Sequence, residues 1–359
     1  MDIAKIDKNF KIETSIKKHG IRFFNIDNPP FHIYGVFKEN GFYRRMPQKI
    51  AEKVGEGVLA LHTNTSGGRI RFITDSPYIA ISVKMGNICR MSHFTLVGSA
   101  GFDMYVREDC KEIYSGSFIP PYDMKDGYEQ IIEFKNDIYA EPKSKLREIT
   151  INMPTYSDVK EVYIGLDENS VVKEPSAYVN EKPIVYYGHS ITQGGCVTRP
   201  GYTYPNILSR RLNCDFINLG FSGNALGQKE MADYIAGLDM KMFIYDYDNN
   251  APNADFLRNT HEVMFKIIRK SHPHIPIIIL TATTRRQYLG SKEERLSIVY
   301  KTYQNALKNG DKNVYLLDAS KVCDNIDGYV GATVEGTHLN DIGFQNLAEA
   351  LEKVIKPLI

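Results

Sequence analysis

The sequence contains no tryptophan, no block of like charges and no apolar run long enough to cross a bilayer. Each absence narrows the class. Its 359 residues carry 44 Lys and Arg against 43 Asp and Glu, a formal charge of +1 spread along the chain. That balance removes the electrostatic footprint of a nucleic-acid binder and the acidic tail of a disordered arm. Small neutral ligands suit it better. The opening stretch MDIAKIDKNFKIETSIKKHG has no apolar core of signal-peptide length. Five cysteines (Cys89, Cys110, Cys196, Cys214 and Cys323) are an odd number without CxxC spacing. Neither a disulfide framework nor a zinc knuckle is expected, and free thiols point to a reducing compartment. The expectation is a cytoplasmic protein. HExxH and the Gly-Lys-Ser/Thr ending of a phosphate loop are both missing, so no metal and no cofactor is expected.

What is present falls into two patterns. With 43% apolar residues there is ample material for cores, and the length suits about two domains. Up to about residue 180 the chain reads as β: GIRFFNI, FHIYGVF, GRIRFITD, YIAISVKM, FTLVGSAGFDMYVRE and LREITINM are short β-branched and aromatic runs. Breaks such as NTSGG, TDSP, IPPYD and KNDIYAEP separate them. Arg69-Ile70-Arg71-Phe72 alternates as a half-buried strand does. Many short strands with turns between them predict an all-β sandwich or jelly roll over residues 1–180.

After NEKP the period changes. Strand-like Ile184–Tyr187, DFINLG, MFIYDYD, IPIIIL and VYLLDA alternate with helical stripes. Those stripes are Tyr204/Ile207/Leu208/Leu212, Met231/Tyr234/Ile235/Leu238, EVMFKIIRK, Leu296/Val299/Tyr300/Tyr303/Leu307 and Phe344/Leu347/Leu351/Val354/Ile355. Strict β/α alternation predicts a parallel sheet covered by helices on both faces over residues 181–359, with the boundary near 175–185.

In open α/β sheets, ligands bind beyond the carboxyl ends of the strands. Read in turn, those ends carry Ser190 in GHSIT, Gly223 in GFSGN, Asn250 in DNNAP, and Glu335 with His338 in EGTHLND before the last helix. A hydroxyl, donors beside glycine, a carboxamide, and a carboxylate three residues before an imidazole are the inventory for acyl transfer. Singly, each has a plain structural alternative: a serine in a glycine-rich turn, a turn-forming asparagine, a helix cap. Their order at successive strand ends favours chemistry. A lipase-type G-x-S-x-G elbow would need glycine where Thr192 stands.

With these residues the chain resembles the SGNH/GDSL hydrolases, in the subgroup with an N-terminal β-sandwich; GFDMY at 101–105 is similar to that subgroup's GxDLY motif. The resemblance implies a flavodoxin-like three-layer hydrolase domain preceded by an all-β jelly-roll or sandwich domain. It also implies Ser190 as nucleophile, His338 as base and Glu335 as orienting acid, with Ser190, Gly223 and Asn250 forming the oxyanion hole. Three positions depart from the family pattern: His189 replaces the aspartate of GDS, Glu335 replaces an aspartate, and Leu339 stands where proline is common. His189 is a candidate for substrate contact against a rim or structural role. Arg199 is a candidate for a substrate hydroxyl or carboxylate against helix-start positioning. The implied activity is removal of small acyl groups, O-acetyl above all, from carbohydrates. A lipid or thioester hydrolase and a non-catalytic carbohydrate-binding protein are the alternatives. The implied partner is an acylated small molecule such as an acetylated oligosaccharide, with neither nucleic acid nor membrane; the oligomeric state is unassigned.

Overall fold

The structure, a computed structural model, describes residues 14–108, 111–134, 146–283, 292–322 and 331–359. Cys110, Cys323 and the whole KNDIYAEP break lie outside the described residues, while Cys89, Cys196 and Cys214 carry free thiols.

In the N-terminal half two antiparallel sheets share one core. One sheet runs in the order Ile21–Asn25, Val159–Asp167, Tyr78–Met85, Gly127–Glu133. The other runs Val172–Lys173, Arg69–Thr74, Arg147–Asn152, Phe102–Glu108, Lys111–Phe118, with His32–Tyr34 also paired to Arg69–Thr74. Ile70, Phe72, Met104, Ile149 and Ile151 of the second sheet meet Ile79, Ile81, Val83, Val162 and Ile164 of the first. Alternate residues of each strand thus face a common interior, as sheet packing requires. Three antiparallel pairs nest inside one another in sequence: Arg69–Thr74 with Arg147–Asn152, Tyr78–Met85 with Gly127–Glu133, and Phe102–Glu108 with Lys111–Phe118.

Two expectations for this half need correction. It is sheet-rich but not all β, because Gln48–Val54, Glu56–Leu61 and Leu96–Ala100 are helical. The last lies inside the FTLVGSAGFDMYVRE run: Thr95 accepts the Gly98 N–H and caps a helical turn, and the strand begins only at Phe102. The first two place Ala51, Val54 and Val58 in the core of the other half, a tertiary use that local periodicity does not reveal. The Arg69-Ile70-Arg71-Phe72 strand, in turn, is buried on both faces. Arg69 donates to the Asp215 carboxylate at 2.7 Å and to the Phe216 carbonyl at 2.9 Å, and its guanidinium lies over the Phe216 ring.

The C-terminal half is a parallel sheet in the order Cys214–Gly220, Asn180–Gly188, Met242–Asp246, Ile277–Leu280, Val314–Leu317. Numbered along the chain this is 2-1-3-4-5, the flavodoxin-like doubly wound order. The central strands divide their side chains between two cores. Val185, Tyr187, Phe243, Tyr245, Ile277 and Ile279 pack under the helices Lys229–Ala236, Ala254–Ser271 and Lys292–Lys308. Ile184, Tyr186, Met242, Ile244, Ile278 and Leu280 pack under Tyr204–Leu212 and Asp341–Ile355. Burial on both faces explains the near-continuous apolar runs of these strands. Among the described residues no helix is long and apolar enough to cross a membrane.

Candidate active site

The carboxyl end of Asn180–Gly188 runs straight into a single helical turn, Ser190–Gln193. That turn lies directly on the end of the neighbouring strand. A Cβ on Gly220 would come within 2.3 Å of the Gln193 amide nitrogen, so only glycine admits the approach. Ser190 is 8% exposed, and the N–H of a residue opening a helix has no acceptor within that helix.

The other groups arrive on neighbouring loops. Ser222 N–H donates to Gln193 Oε1 at 2.9 Å, tying the Phe221–Asn224 turn to the Ser190 turn. Gly223 stands at the tip with φ +68°, a conformation L side chains rarely adopt, and a Cβ there would meet nothing within 4 Å. Ala225 N–H donates to Asn250 Oδ1 at 3.2 Å, which orients the carboxamide and leaves its Nδ2 as the donating end. Direct hydrogen bonds therefore link the loops of Ser190, Gly223 and Asn250.

The fourth segment is the turn before Asp341–Ile355. It closes as a short antiparallel bridge between Thr333 and Leu339, with Val334 N–H on the His338 carbonyl at 2.9 Å. Leu339, at the position where proline is common, is fully buried and gives its carbonyl to Cys196 N–H at 3.2 Å. This holds His338 against the loop that follows Ser190. His338 Nε2 is 2.8 Å from Ser190 Oγ, and His338 Nδ1 is 2.9 Å from Glu335 Oε1. Glu335 Oε1 also accepts the His338 backbone N–H at 2.9 Å. A carboxylate only accepts, so Nδ1 carries the ring proton, Nε2 is the free lone pair, and the Ser190 hydroxyl donates to it. Burial lowers the His338 pKa; the Glu335 charge and hydrogen bond oppose this, while His189 and His93 add to it, and the net direction is down. Burial pushes the Glu335 carboxyl up, but the hydrogen bonds and charge of His338 outweigh it and bring its pKa below the usual range. The pair rests as neutral imidazole and carboxylate.

His189 does not reach outward. It is 1% exposed; its Nδ1 accepts the Ile191 N–H at 3.3 Å, and its Nε2 faces Asp246 Oδ1 at 3.2 Å. The Asn249 carboxamide lies 3.2 Å from the same Nε2. The candidate role in substrate contact is corrected to a buried one: both ring nitrogens are spent on holding the turn that carries Ser190. Arg199 is likewise engaged within the protein. Its guanidinium is 3.7 Å from Asp103 and lies over the rings of Tyr114 and Tyr202. Asp103, the aspartate of GFDMY, is fully buried, receives Gly201 N–H at 3.0 Å and Asn152 Nδ2 at 2.9 Å, and is pushed by burial up to about 6. The motif of the first half thus grips the loop that leaves the Ser190 turn.

Sequence reasoning missed several residues here. Gln193 receives Ser222 through Oε1 and donates through Nε2 to Asn64 at 3.1 Å and to the Thr155 carbonyl at 3.2 Å. Tyr156 OH donates to the Ser190 carbonyl at 3.2 Å. His93, from the N-terminal half, places its ring 5.8 Å from that of His338. Gln193 lies in the Ser190 turn itself, but nothing local shows which loops its carboxamide ties together; Tyr156 and His93 reach the site only through the docking of the two halves.

A doubly wound sheet with a hydroxyl, an imidazole and a carboxylate in one hydrogen-bonded line at its carboxyl edge has the groups that acyl transfer needs, the arrangement of a hydrolase class of protein. Comparison with known families is more specific. Residues 181–356 match the GDSL-like Lipase/Acylhydrolase family, and residues 21–172 match the N-terminus of Esterase_SGNH_hydro-type, the GxDLY domain. The chain belongs to the SGNH/GDSL hydrolases with a GxDLY N-terminal domain, and it is an esterase. Among solved structures it is similar to a protein described as a GDSL-like lipase from Bacteroides ovatus, at 25% identity and TM-score 0.83 over 94% of this chain and 98% of that one. It is also similar to the Salicylyl-Acyltransferase SsfX3 from a tetracycline biosynthetic pathway, at 19% identity and TM-score 0.74 over 95% and 98% of the two chains. A family two carbohydrate esterase from Cellvibrio japonicus shares the fold at 12% identity and TM-score 0.58 over 94% and 98%. No curated protein matches the chain.

Proposed function

We propose that this esterase removes small acyl groups, acetyl foremost, from acylated carbohydrates through a covalent Ser190 intermediate. The observation that carries the reading is the unbroken line from Ser190 Oγ through His338 to Glu335. As the Ser190 oxygen attacks the ester carbonyl, its proton passes to His338 Nε2, and Glu335 stabilises the imidazolium. The negative oxygen of the tetrahedral intermediate is held by the N–H groups of Ser190 and Gly223 and by Asn250 Nδ2. His338 then returns the proton to the departing alcohol. Water, giving its proton to the same nitrogen, releases the acid and restores Ser190. Support for a carbohydrate alcohol comes from the neighbouring folds, several of which are carbohydrate esterases, including an acetyl xylan esterase. In the same reading the N-terminal half is a jelly roll, a reading that its nested strand pairs support.

The test is a p-nitrophenyl ester series together with mass-spectrometric screening of acetylated oligosaccharides. Fastest turnover on acetate, lost in Ser190→Ala at unchanged melting temperature, is expected. A preference for octanoyl or longer esters would overturn the acetyl reading in favour of a lipid or thioester hydrolase. Failure of a fluorophosphonate to label Ser190 would point to a non-catalytic carbohydrate-binding site.

A further inference from the structure

Three side chains that the acyl-transfer chemistry does not jointly need converge beside the site. His93, Cys196 and His338 each offer one ligand atom, and these atoms all lie within 4.8 Å of one another. They come from three separate segments: the loop between Tyr78–Met85 and Leu96–Ala100, the loop after the Ser190 turn, and the Thr333–Leu339 turn.

Each segment is held in place. The His93 loop is pinned by Cys89 N–H on Ser157 Oγ at 3.1 Å, by Ser99 Oγ on the Cys89 carbonyl at 2.9 Å, and by Phe94 packed edge-on against Tyr156. Cys196 is fixed by its N–H on the Leu339 carbonyl, one residue from His338. Cys196 is buried, His338 half-buried and His93 exposed, so the cluster has a rigid floor and an adjustable, solvent-facing side.

We propose that His93, Cys196 and His338 form a zinc site whose occupation switches the esterase off. A thiolate with two imidazoles is a donor set that zinc favours, and three protein ligands leave a fourth position for water. At Zn–S near 2.3 Å and Zn–N near 2.0–2.1 Å, a tetrahedron sets its ligand atoms about 3.5 Å apart. The exposed His93 side chain is the one with room to turn toward the other two ligand atoms. Binding is a simple exchange in which the Cys196 Sγ–H proton leaves to solvent as the Zn–S bond forms.

Inhibition follows from imidazole chemistry whichever ring nitrogen is taken. Zinc on Nε2 occupies the lone pair that would accept the Ser190 proton. Zinc on Nδ1 displaces Glu335 and leaves the ring proton on Nε2, which then cannot accept one. The inhibitory half rests on the proposed role of His338; the binding half does not.

The experiment therefore has two readouts. Zinc chloride is titrated into Ser190→Ala protein against a chromophoric chelator, and into the wild-type enzyme during p-nitrophenyl acetate turnover. One zinc per chain is expected. His93→Ala and Cys196→Ala should each weaken binding by more than the roughly 10-fold that loss of an outer-shell partner costs. Wild-type turnover should be lost and return with EDTA, while both variants keep their turnover at zinc concentrations that silence the wild type. His93 is exposed, so its replacement tests the site even if the Cys196 variant folds poorly. Affinity unchanged in both variants would overturn the site. Tight binding that leaves turnover intact would overturn the switch. An enzyme inactive on every ester would leave the chelator result standing by itself.

Discussion

Two histidine–carboxylate pairs stand beside Ser190 and are built in opposite ways. His338 meets Glu335 at 2.9 Å with the two side chains 25% and 37% exposed. His189 meets Asp246 at 3.2 Å with both essentially sealed from solvent. Burial lowers both imidazoles, yet the net directions differ. In the open pair burial prevails and His338 falls below the ordinary histidine value. In the sealed pair the charge and hydrogen bond of Asp246, with the charge of Asp248, prevail and raise His189. Asp248 itself is pushed up to about 6, by burial first and then by the Asp246 charge. The lesson concerns geometry more than charge. A base for acyl transfer needs a free lone pair aimed at the hydroxyl, and His338 has one. His189 has neither nitrogen to spare, and its work is to hold the turn.

The largest effect should come from the open pair. His338→Ala is expected to cut p-nitrophenyl acetate turnover by about 10⁶-fold, as removal of a triad base does, at an unchanged melting temperature. A melting point that falls with the rate would make that pair structural and erase the contrast. Glu335→Gln should cost about 10³-fold, short of the roughly 10⁴-fold for a buried triad carboxylate, because water reaches this one. Glu335 raises the His338 pKa, so its loss should carry the acid limb of kcat/KM to lower pH. A limb that stays in place removes Glu335 from the pair. His189→Ala should appear mainly as stability, about 3 kcal/mol by urea unfolding, since it strands Asp246 in the interior. Adjacent asparagines sharpen the distinction. Asn250→Ala should lower turnover by about 10²-fold without shifting the melt. Asn249→Ala, beside His189, should cost about 1 kcal/mol of stability and leave the rate nearly intact.

Ser190, Glu335 and His338 were legible because each follows a strand or precedes a helix whose period is plain, and because sheet topology sends those ends to one edge. The parallel sheet was legible for the same reason: Val185 and Tyr187 face one helix layer and Ile184 and Tyr186 the other, which demands continuous apolar strands. The helices Gln48–Val54 and Glu56–Leu61 were not, since what stabilises them is a core supplied by the second half of the chain. Nor was the fate of Arg199, whose partners Asp103 and Tyr114 lie on strands of the sandwich. His189 read as a possible rim residue because an imidazole next to the Ser190 hydroxyl carries no mark of which way it turns.

By itself the sequence determined the β and α/β halves, the order of the chemical groups along the chain and the strand ends that present them, because hydrophobic period and turn chemistry are local. Only the tertiary structure decided which histidine faces the hydroxyl, what the GFDMY aspartate holds, and that His93 and Cys196 gather at His338. Those outcomes depend on distances between segments far apart in the chain, and no local pattern encodes a distance.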